Sequence, residues 1–518
     1  MHNKDINKLP KFGKLDDSHP LFTNERVYKD IRSCKEREEF ESKVLYSIEE
    51  AVEKSDLKDG MTISFHHHFR DGDFVLNKVM DVIAKKGIKN LIIAASSLLS
   101  VHAPLVEHLK NGVVARIETS GMRGDLADFI SKGMLDIPVV FRSHGGRAYA
   151  IKNGDIKIDV AFLGAPSCDS FGNANGYSRD HDNGVICGSL GYAKTDAQYA
   201  NCVIVLTDNL VPFPNVPAGI YQSDVDYVVK IDAIGDPKGI MSGATRYTKN
   251  PKDLLIAETT AQVIEASGVF KDGLSFQMGS GGASLATARF LREKMIQKNI
   301  RANFALGGIT GVIVKLHEEG LIKKILDVQS FDLEAAKSLK NNRFHQQVSA
   351  YYYASPNNPG SAVNQLDVVI LSALEVDISF NVNVLTGSDG TIIGAIGGHQ
   401  DTAAGASVTI IVCPLTRGRI ASIVDQVNTI VTPGKAIDIV VTDQGVAINP
   451  HRKDLIERLS KTDIYLTTIE ALRDKALSLV GKAKAIEYTD KVVGIVTYRD
   501  GSVIDLIYQV TDSIEDDD

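Results

Sequence analysis

The sequence predicts an α/β protein of two tandem, duplicated domains with mostly parallel sheets, related by a pseudo-twofold, behind an N-terminal helical arm. Two observations carry that reading. Short apolar runs alternate with helical stretches along nearly the whole chain, and a segment of the first half recurs in the second at a fixed offset. Continuous apolar runs suit strands covered on both faces. Helices between such strands imply crossover connections and a largely parallel sheet.

The elements follow in order. Residues 1–32 form a polar arm. Ser33-Cys34-Lys35-Glu36 matches a capping box, and Phe40, Val44, Ile48 and Val52 then repeat at spacing four, one apolar stripe of a helix. Asp59-Gly60 ends that helix. Strand-like runs come next at 61–65, 91–94, 113–118, 158–165, 202–207 and 227–231. Residues 251–266 read as a polar helical connector. The alternation then restarts, with runs at 274–278, 303–306, 325–328, 366–373, 408–413, 437–442 and 464–468. Two alternating segments, 492–498 and 502–510, flank Arg499-Asp500-Gly501 and predict a β-hairpin. Residues 512–518 are a short acidic tail. The expected organisation is an arm and helix over 1–55, a first domain over 56–248, and a second over 249–518 that includes the hairpin and tail.

The duplication rests on two strings. Residues 159–176 read DVAFLGAPSCDSFGNANG and residues 367–384 read DVVILSALEVDISFNVNV, agreeing at seven of 18 positions. The shared residues are Asp159/Asp367, Val160/Val368, Leu163/Leu371, Ala165/Ala373, Asp169/Asp377, Asn173/Asn381 and Asn175/Asn383. The same offset of 208 aligns Gly112-Val113-Val114 with Gly320-Leu321-Ile322. Ligands often bind where two such domains meet.

Composition bounds the function. The 518 residues are 44% hydrophobic and 24% charged, ordinary for a globular protein, with a net charge of −8. That balance argues against a nucleic-acid coat, which draws affinity from Lys and Arg on phosphates. No window of 18 apolar residues occurs, so no membrane helix is expected. The polar first 14 residues do not resemble a signal peptide. Five cysteines without a CxxC pair suit reduced, buried thiols in a cytoplasm. No tightly bound cofactor and no metal site are expected.

Several motifs are candidates for chemistry. Gly279, Ser280, Gly281 and Gly282 lie between a strand run and a helix start, where free N–H groups and the helix dipole bind anions or an oxyanion. The corresponding strand end of the first copy reads Phe65-His66-His67-His68-Phe69-Arg70, so imidazoles and a guanidinium replace glycine. Consecutive strand residues face opposite ways, which disfavours a zinc site built from the three histidines alone. Gly397, Gly398 and His399 form a second Gly-rich turn, and Glu375 is a candidate base or orienting carboxylate. Arg417, Arg419 and Ser143-His144-Gly145-Gly146-Arg147 are candidate carboxylate forks, with Gly243-Ala244-Thr245-Arg246 a weaker one. Each has a structural alternative: a tight turn, a core histidine, an ion pair or a solvated arginine. No GxSxG, HExxH or paired CxxC is present, which removes support from common hydrolase readings.

Ser372-Ala373-Leu374-Glu375-Val376-Asp377, Asn381-Val382-Asn383 and Gly397-Gly398-His399-Gln400-Asp401 resemble the second half of CoA-transferases. Asp59-Gly60-Met61-Thr62-Ile63-Ser64-Phe65 resembles the opening strand of their first half. From about residue 35 onward the chain is similar to the citrate lyase alpha-subunit family. The strings that carry this are Ser64-Phe65-His66-His67, Ala165-Pro166-Ser167-Cys168-Asp169, Gly172-Asn173-Ala174-Asn175-Gly176-Tyr177, Gly281-Gly282-Ala283-Ser284-Leu285-Ala286, Leu306-Gly307-Gly308-Ile309-Thr310 and Asn383-Val384-Leu385-Thr386-Gly387-Ser388-Asp389-Gly390.

The resemblance implies CoA-transferase-like domains and exchange of an acetyl thioester for a citryl thioester, with release of acetate. The thioester would be acetyl-CoA or the CoA-derived arm of a gamma acyl-carrier subunit. A beta (citryl lyase) subunit would then cleave the product, and a homo-oligomer is expected. Many CoA-transferases use a glutamate nucleophile. Aligned on Glu318-Glu319-Gly320-Leu321-Ile322, its place here falls at Gly307, where no acid is available. A direct route follows, in which a citrate carboxylate attacks the acetyl thioester to give a mixed anhydride. Gly281, Gly282, Gly397 and Gly398 would stabilise oxyanions, and Glu375 would serve as base or orienting group. His66, His67, His68, Arg70, His399, Arg417, Arg419, Gly279 and Ser280 would contact substrate. Other readings are a transferase for another acid such as citramalate, an acyl-CoA hydrolase, and a non-catalytic sensing or scaffold module.

Overall fold

The computed structural model describes residues 42–241, 248–279 and 281–511. The capping box at Ser33, Cys34, Phe40, the 243–246 motif, Ser280 and the acidic tail lie outside the described residues.

Among the described residues, two large sheets form, one of ten strands and one of nine. Seven strands of each follow one order. In the first sheet this is Tyr227–Lys230, Cys202–Thr207, Val160–Gly164, Thr62–Phe65, Leu91–Ala95, Val114–Thr119 and Val139–Phe141. In the second it is Ile439–Thr442, Val408–Val412, Val368–Ser372, Ser275–Met278, Ala302–Ile309, Ile322–Ser330 and His345–Gln347. All neighbours within these sets pair in parallel. A small three-stranded sheet accompanies each, Ser167–Asp169 at the centre of one and Glu375–Asp377 at the centre of the other.

The identities shared at offset 208 are explained by local hydrogen bonding. Asp159 accepts from the Thr62 N–H at 2.8 Å, and Asp367 accepts from the Ser275 N–H at 2.8 Å, so each aspartate ties its strand to the neighbouring one. Asp169 Oδ1 accepts from the N–H groups of Phe171 and Asn173, both at 3.0 Å. Asp377 Oδ1 accepts from those of Ser379 and Asn381, both at 2.9 Å. Each aspartate closes an Asx-type turn that its asparagine then clamps.

Two expectations change. Val44 is not on a helix: Val44–Leu45 is an edge strand paired with Val228 and Val229, and the helix is Ile48–Lys54, capped by Ser47. A cap at Ser47 ends the spacing-four stripe, because its extended backbone bars helix upstream. The C-terminal hairpin, Tyr488–Thr497 with Val503–Val510, adds to the first sheet through Val139–Phe141. The chain therefore returns to its first half after completing its second.

The halves also share a core. Leu385, Ile392, Ile396 and Val431 are buried in the same apolar cluster as Ile93, Leu98, Met122 and Ile130. Met122 N–H donates to the Gly394 carbonyl at 3.1 Å, and Ile396 N–H donates to Ser120 at 2.7 Å. Residues 384–396 are thus fixed onto the first half, and they deliver the turn at Gly397–Gly398 to the junction.

Candidate active site

A cavity of about 260 Å³ lies at that junction. The first half lines it with His67, Arg70, Ser97, Arg123, His144 and Tyr192, among others. The second half supplies Gln277, Gly279, Gly281, Gly308, Gln329, Phe331, Tyr353, Ser372 and the run Gly394–His399. No aspartate or glutamate is among the described lining residues. The −8 net charge of the chain is therefore not expressed here.

The first wall is cationic and imidazole-rich. Arg70 follows the strand Thr62–Phe65 and is left-handed, with φ of 55°. For a non-glycine residue that conformation costs about 1 kcal/mol or more. It is held by the turn bonds Arg70 N–H to His67 O and Asp73 N–H to Arg70 O. The guanidinium lies over the Phe331 ring at 4.8 Å, and its Nη1 is buried without a hydrogen-bond partner. Burial, followed by the charge of Arg123, pulls its pKa down to about 10, so it stays a cation at neutral pH. Arg123 is exposed at the cavity. Among the described residues no carboxylate lies within ion-pair distance of either guanidinium. His67 Nδ1 is 2.8 Å from Ser96 Oγ, and His144 packs on Tyr192 with ring centroids 4.3 Å apart. Burial lowers the pKa of His67 well below its ordinary value and that of His144 to about 3, so both are neutral.

The second wall is made of backbone. Gly397 has φ of 57°, and its carbonyl accepts from the His144 N–H at 2.9 Å. Among the described residues neither the Gly397 nor the Gly398 N–H meets a protein acceptor. A Cβ on Gly398 would stand 2.4 Å from the Tyr353 hydroxyl, which accepts from Gln277 Nε2 at 3.0 Å. A Cβ on Gly281 would stand 2.4 Å from Ser372 Oγ. Gly281 is the N-cap of the helix Gly282–Gln297 and makes no side-chain cap, so the first-turn N–H groups keep their positive field. His399 uses both ring nitrogens. Its Nε2 lies 3.2 Å from the Ser372 carbonyl, which can only accept, so the Nε2 carries the proton and Nδ1 accepts from Thr432 at 2.7 Å. Burial lowers its pKa to about 4.

Asp401 locks the walls together. Its carboxylate accepts from Ser143 Oγ at 3.0 Å and from the Gly145 N–H at 2.8 Å, with Arg499 Nε 3.5 Å away. These contacts join the helix that starts at His399 to the helix that carries His144.

Comparison with known proteins identifies the family. The family described as citrate lyase, alpha subunit (CitF), matches residues 41–510. The chain belongs to the citrate lyase alpha-subunit family. It is 60% identical to the citrate lyase alpha chain of Haemophilus influenzae over 93% of this chain and 94% of that one. It is 57% identical to that of Escherichia coli, covering 90% and 91%. A crystal structure of the alpha subunit of citrate lyase from Streptococcus mutans, in complex with citrate, superposes with a TM-score of 0.91 at 56% identity, covering 94% of this chain and 96% of that one. The alpha subunit of an Acinetobacter baumannii malonate decarboxylase shares the fold at 14% identity and a TM-score of 0.62, covering 85% and 88%. The 4-hydroxybutyrate coenzyme A transferase of Clostridium kluyveri is 27% identical over 57% of this chain and 67% of its own length.

Within this family fold, the residues singled out from the sequence divide into two groups. His67, Arg70, Gly279, Gly281, Gly397, Gly398 and His399 line the cavity. The others do not. His66 Nε2 lies 2.9 Å from Asp196, whose carboxylate also takes both terminal nitrogens of Arg147 at 2.7 Å. That buried group corrects the expectation that Arg147 is a carboxylate fork for substrate, because Asp196 already occupies its guanidinium. His68 is buried and stacks on His66, with burial lowering its pKa to about 3. Gly282 starts the helix but faces Thr248 and Asp253. Gly279 lines the cavity, yet its N–H is spent on the Ile370 carbonyl at 2.8 Å and cannot stabilise an oxyanion.

Glu375 is placed outside the cavity. Its carboxylate accepts from Asn383 Nδ2 at 2.9 Å and from the backbone and side-chain N–H groups of Asn428 at 3.1 and 3.2 Å. It organises the small second sheet and does not face the reacting space. Arg417 donates to the Leu374 carbonyl, and Arg419 is exposed on the hairpin Thr416–Ala421. Sequence reasoning missed Arg123, Gln277, Tyr353 and Asp401. Arg123 had one available signal, a Gly-Met-Arg-Gly string after a strand run. Asp401 closes the Gly397–Gly398 string but gives no hint that its partner lies 256 residues earlier.

Proposed function

We propose that the chain, as an alpha subunit of citrate lyase, exchanges the acetyl group of an acetyl thioester for citrate, giving a citryl thioester and acetate. The observation that carries this reading is a cavity with cations on one wall that have no ion-pair partner among the described residues, free backbone N–H groups on the other, and no carboxylate among its described lining residues. Such a cavity accepts a polycarboxylate, and it leaves the carboxylate nucleophile to the substrate.

The chemistry proceeds in two displacements. A citrate carboxylate oxygen attacks the acetyl carbonyl, the thioester C–S bond breaks, and the thiolate departs, leaving a mixed acetic–citric anhydride. The thiolate then attacks the citryl carbonyl, the anhydride C–O bond breaks, and acetate departs. Gly397 and Gly398 N–H groups stabilise the oxyanion in each step. Arg70 and His67 hold the acid, and His399 and Asp401 fix the glycine turn. The imidazoles are neutral, so they donate or accept hydrogen bonds without adding charge. The thioester is presented by acetyl-CoA or by the CoA-derived arm of the carrier subunit, and the beta subunit cleaves the product.

The test uses the full chain alone. Acetyl-CoA and citrate are expected to yield citryl-CoA and acetate, detected by mass. Citramalate in place of citrate measures the competing acceptor, and loss of acetyl-CoA without any acid would indicate a hydrolase. The direct route predicts no protein-bound acyl or CoA adduct after incubation with acetyl-CoA; a glutamyl thioester on any residue overturns it.

A further inference from the structure

We infer that Arg123, paired with Arg70, forms an anion site for the carboxylates of the acid that do not react, and so selects acids with a third carboxylate. The inference rests on the functional reading above and adds the residue that sets its specificity.

Three observations lead to it. Arg70 is buried, yet its Nη1 has no partner and its guanidinium is held at the cavity by a left-handed backbone and the Phe331 ring. Arg123 reaches the same cavity from the Gly121–Gly124 turn after the strand Val114–Thr119, which lies two strands from Thr62–Phe65 in the sheet. Neither has a carboxylate within ion-pair distance among the described residues, although the chain carries 65 acidic side chains. The two guanidiniums repel each other, the Asp71 charge offsets this for Arg70 by less than Arg123 contributes, and an anion that bridges the pair stabilises the arrangement. Guanidinium forks match carboxylates bidentately.

Two anions have the needed chemistry, a substrate carboxylate and a phosphate of the CoA-type arm. Distance favours the carboxylate. In citrate the other carboxylates lie only a few bonds from the reacting one. The phosphates lie a full pantetheine chain away from the sulfur. The Gly397–Gly398 turn and both arginines line one small cavity, which accommodates the first separation.

The test compares R123A and R123K with the unchanged protein. Calorimetry with the full chain measures binding of citrate, of tricarballylate, which has three carboxylates and no hydroxyl, and of glutarate, which has two. R123A is expected to weaken citrate and tricarballylate about tenfold. Glutarate binding and the KM for acetyl-CoA should stay within about twofold, and R123K should recover part of the loss. Arg123 is exposed, so folding is checked by circular dichroism and is expected to be unchanged. Equal loss for glutarate and citrate, no loss for either, or a rise confined to the acetyl-CoA KM overturns the inference; the last outcome assigns Arg123 to phosphate. Because binding is read without turnover, an Arg123-dependent preference for tricarboxylates stands even if no transfer occurs, and transfer that ignores Arg123 leaves the functional reading intact.

Discussion

The two halves share a seven-strand order but place different chemistry at equivalent strand ends. After Thr62–Phe65 the first half runs into His67 and Arg70. After Ser275–Met278 the second runs into Gly279 and Gly281. One wall of the cavity therefore binds by charge and the other by backbone N–H groups. The difference shows which features a duplicated fold keeps. Asp159/Asp367 and Asp169/Asp377 recur because each ties a strand or closes a turn that both copies need. The loops at the cavity are free to diverge, and one cleft gains two unlike faces.

The largest effect is expected on the backbone wall. Gly398→Ala would put a methyl group 2.4 Å from the Tyr353 hydroxyl, which is buried and bonded to Gln277. The turn must shift and its N–H groups lose their aim. We expect kcat to fall ~10²–10³-fold, as for loss of an oxyanion donor, with citrate binding changed less than about threefold. Arg70→Ala on the opposite wall should show the reverse split, with citrate KM rising about tenfold or more and kcat less affected. Steady-state kinetics with calorimetry separates the two. If both variants lower kcat and binding in the same proportion, the division of labour between the walls is wrong.

The next effect is on stability. His68, His144 and His399 have pKa values lowered to about 3, 3 and 4 by burial. A lowered pKa means that the unfolded chain binds protons first, so stability is full above about pH 6.5 and is lost as pH falls. At pH 5 each should cost about 2 kcal/mol relative to pH 8. Asp401 opposes them. Burial raises its pKa to about 6, so its contribution is full below about 3.8 and is lost as pH rises through 6. Urea denaturation at pH 7 and pH 5 tests both. Asp401→Asn should steepen the acid loss by about 1 kcal/mol. An acid loss unchanged by that substitution would place the Asp401 pKa near its ordinary value.

Much of the fold was legible because parallel strands covered on both faces leave continuous apolar runs. Cys202–Thr207 and the helix Pro251–Ala266 fall where their patterns predict. The edges were not legible. Val44 fits a spacing-four stripe, but Ser47 caps the helix after it and the Tyr227–Lys230 edge captures it as a strand. The alternation at 488–510 identifies a hairpin, yet nothing local states that Val139–Phe141 is its partner. The cavity glycines were legible because runs such as Gly397-Gly398 seldom serve a sheet. Arg417 and Glu375 misled because residue type reports chemistry and not direction: both side chains bond the protein around them. Arg147 misled for the same reason, since a Gly-rich string hid its buried ion pair with Asp196.

The smallest effect on transfer is expected at Glu375, and it sharpens the comparison most finely. At offset 208 its counterpart is Ser167, so this carboxylate is one of the positions where the second copy departs from the first beside the shared Asp169/Asp377 turn. Ser167 Oγ donates to the Tyr177 carbonyl at 2.6 Å and accepts from Asn215 at 3.1 Å. Glu375 reaches further and accepts from Asn383 and Asn428, with burial raising its pKa. Both side chains organise their own small sheet. Glu375→Gln keeps the shape but turns an NH₂ group toward N–H donors, so a stability loss of about 1–3 kcal/mol is expected. Because the side chain does not line the cavity, kcat for citryl-CoA formation should stay within about threefold at a temperature where the variant is folded. A fall of several hundredfold in kcat with unchanged melting would make Glu375 a reacting group. The second small sheet would then be part of the chemistry, and the two walls alone would not account for the activity.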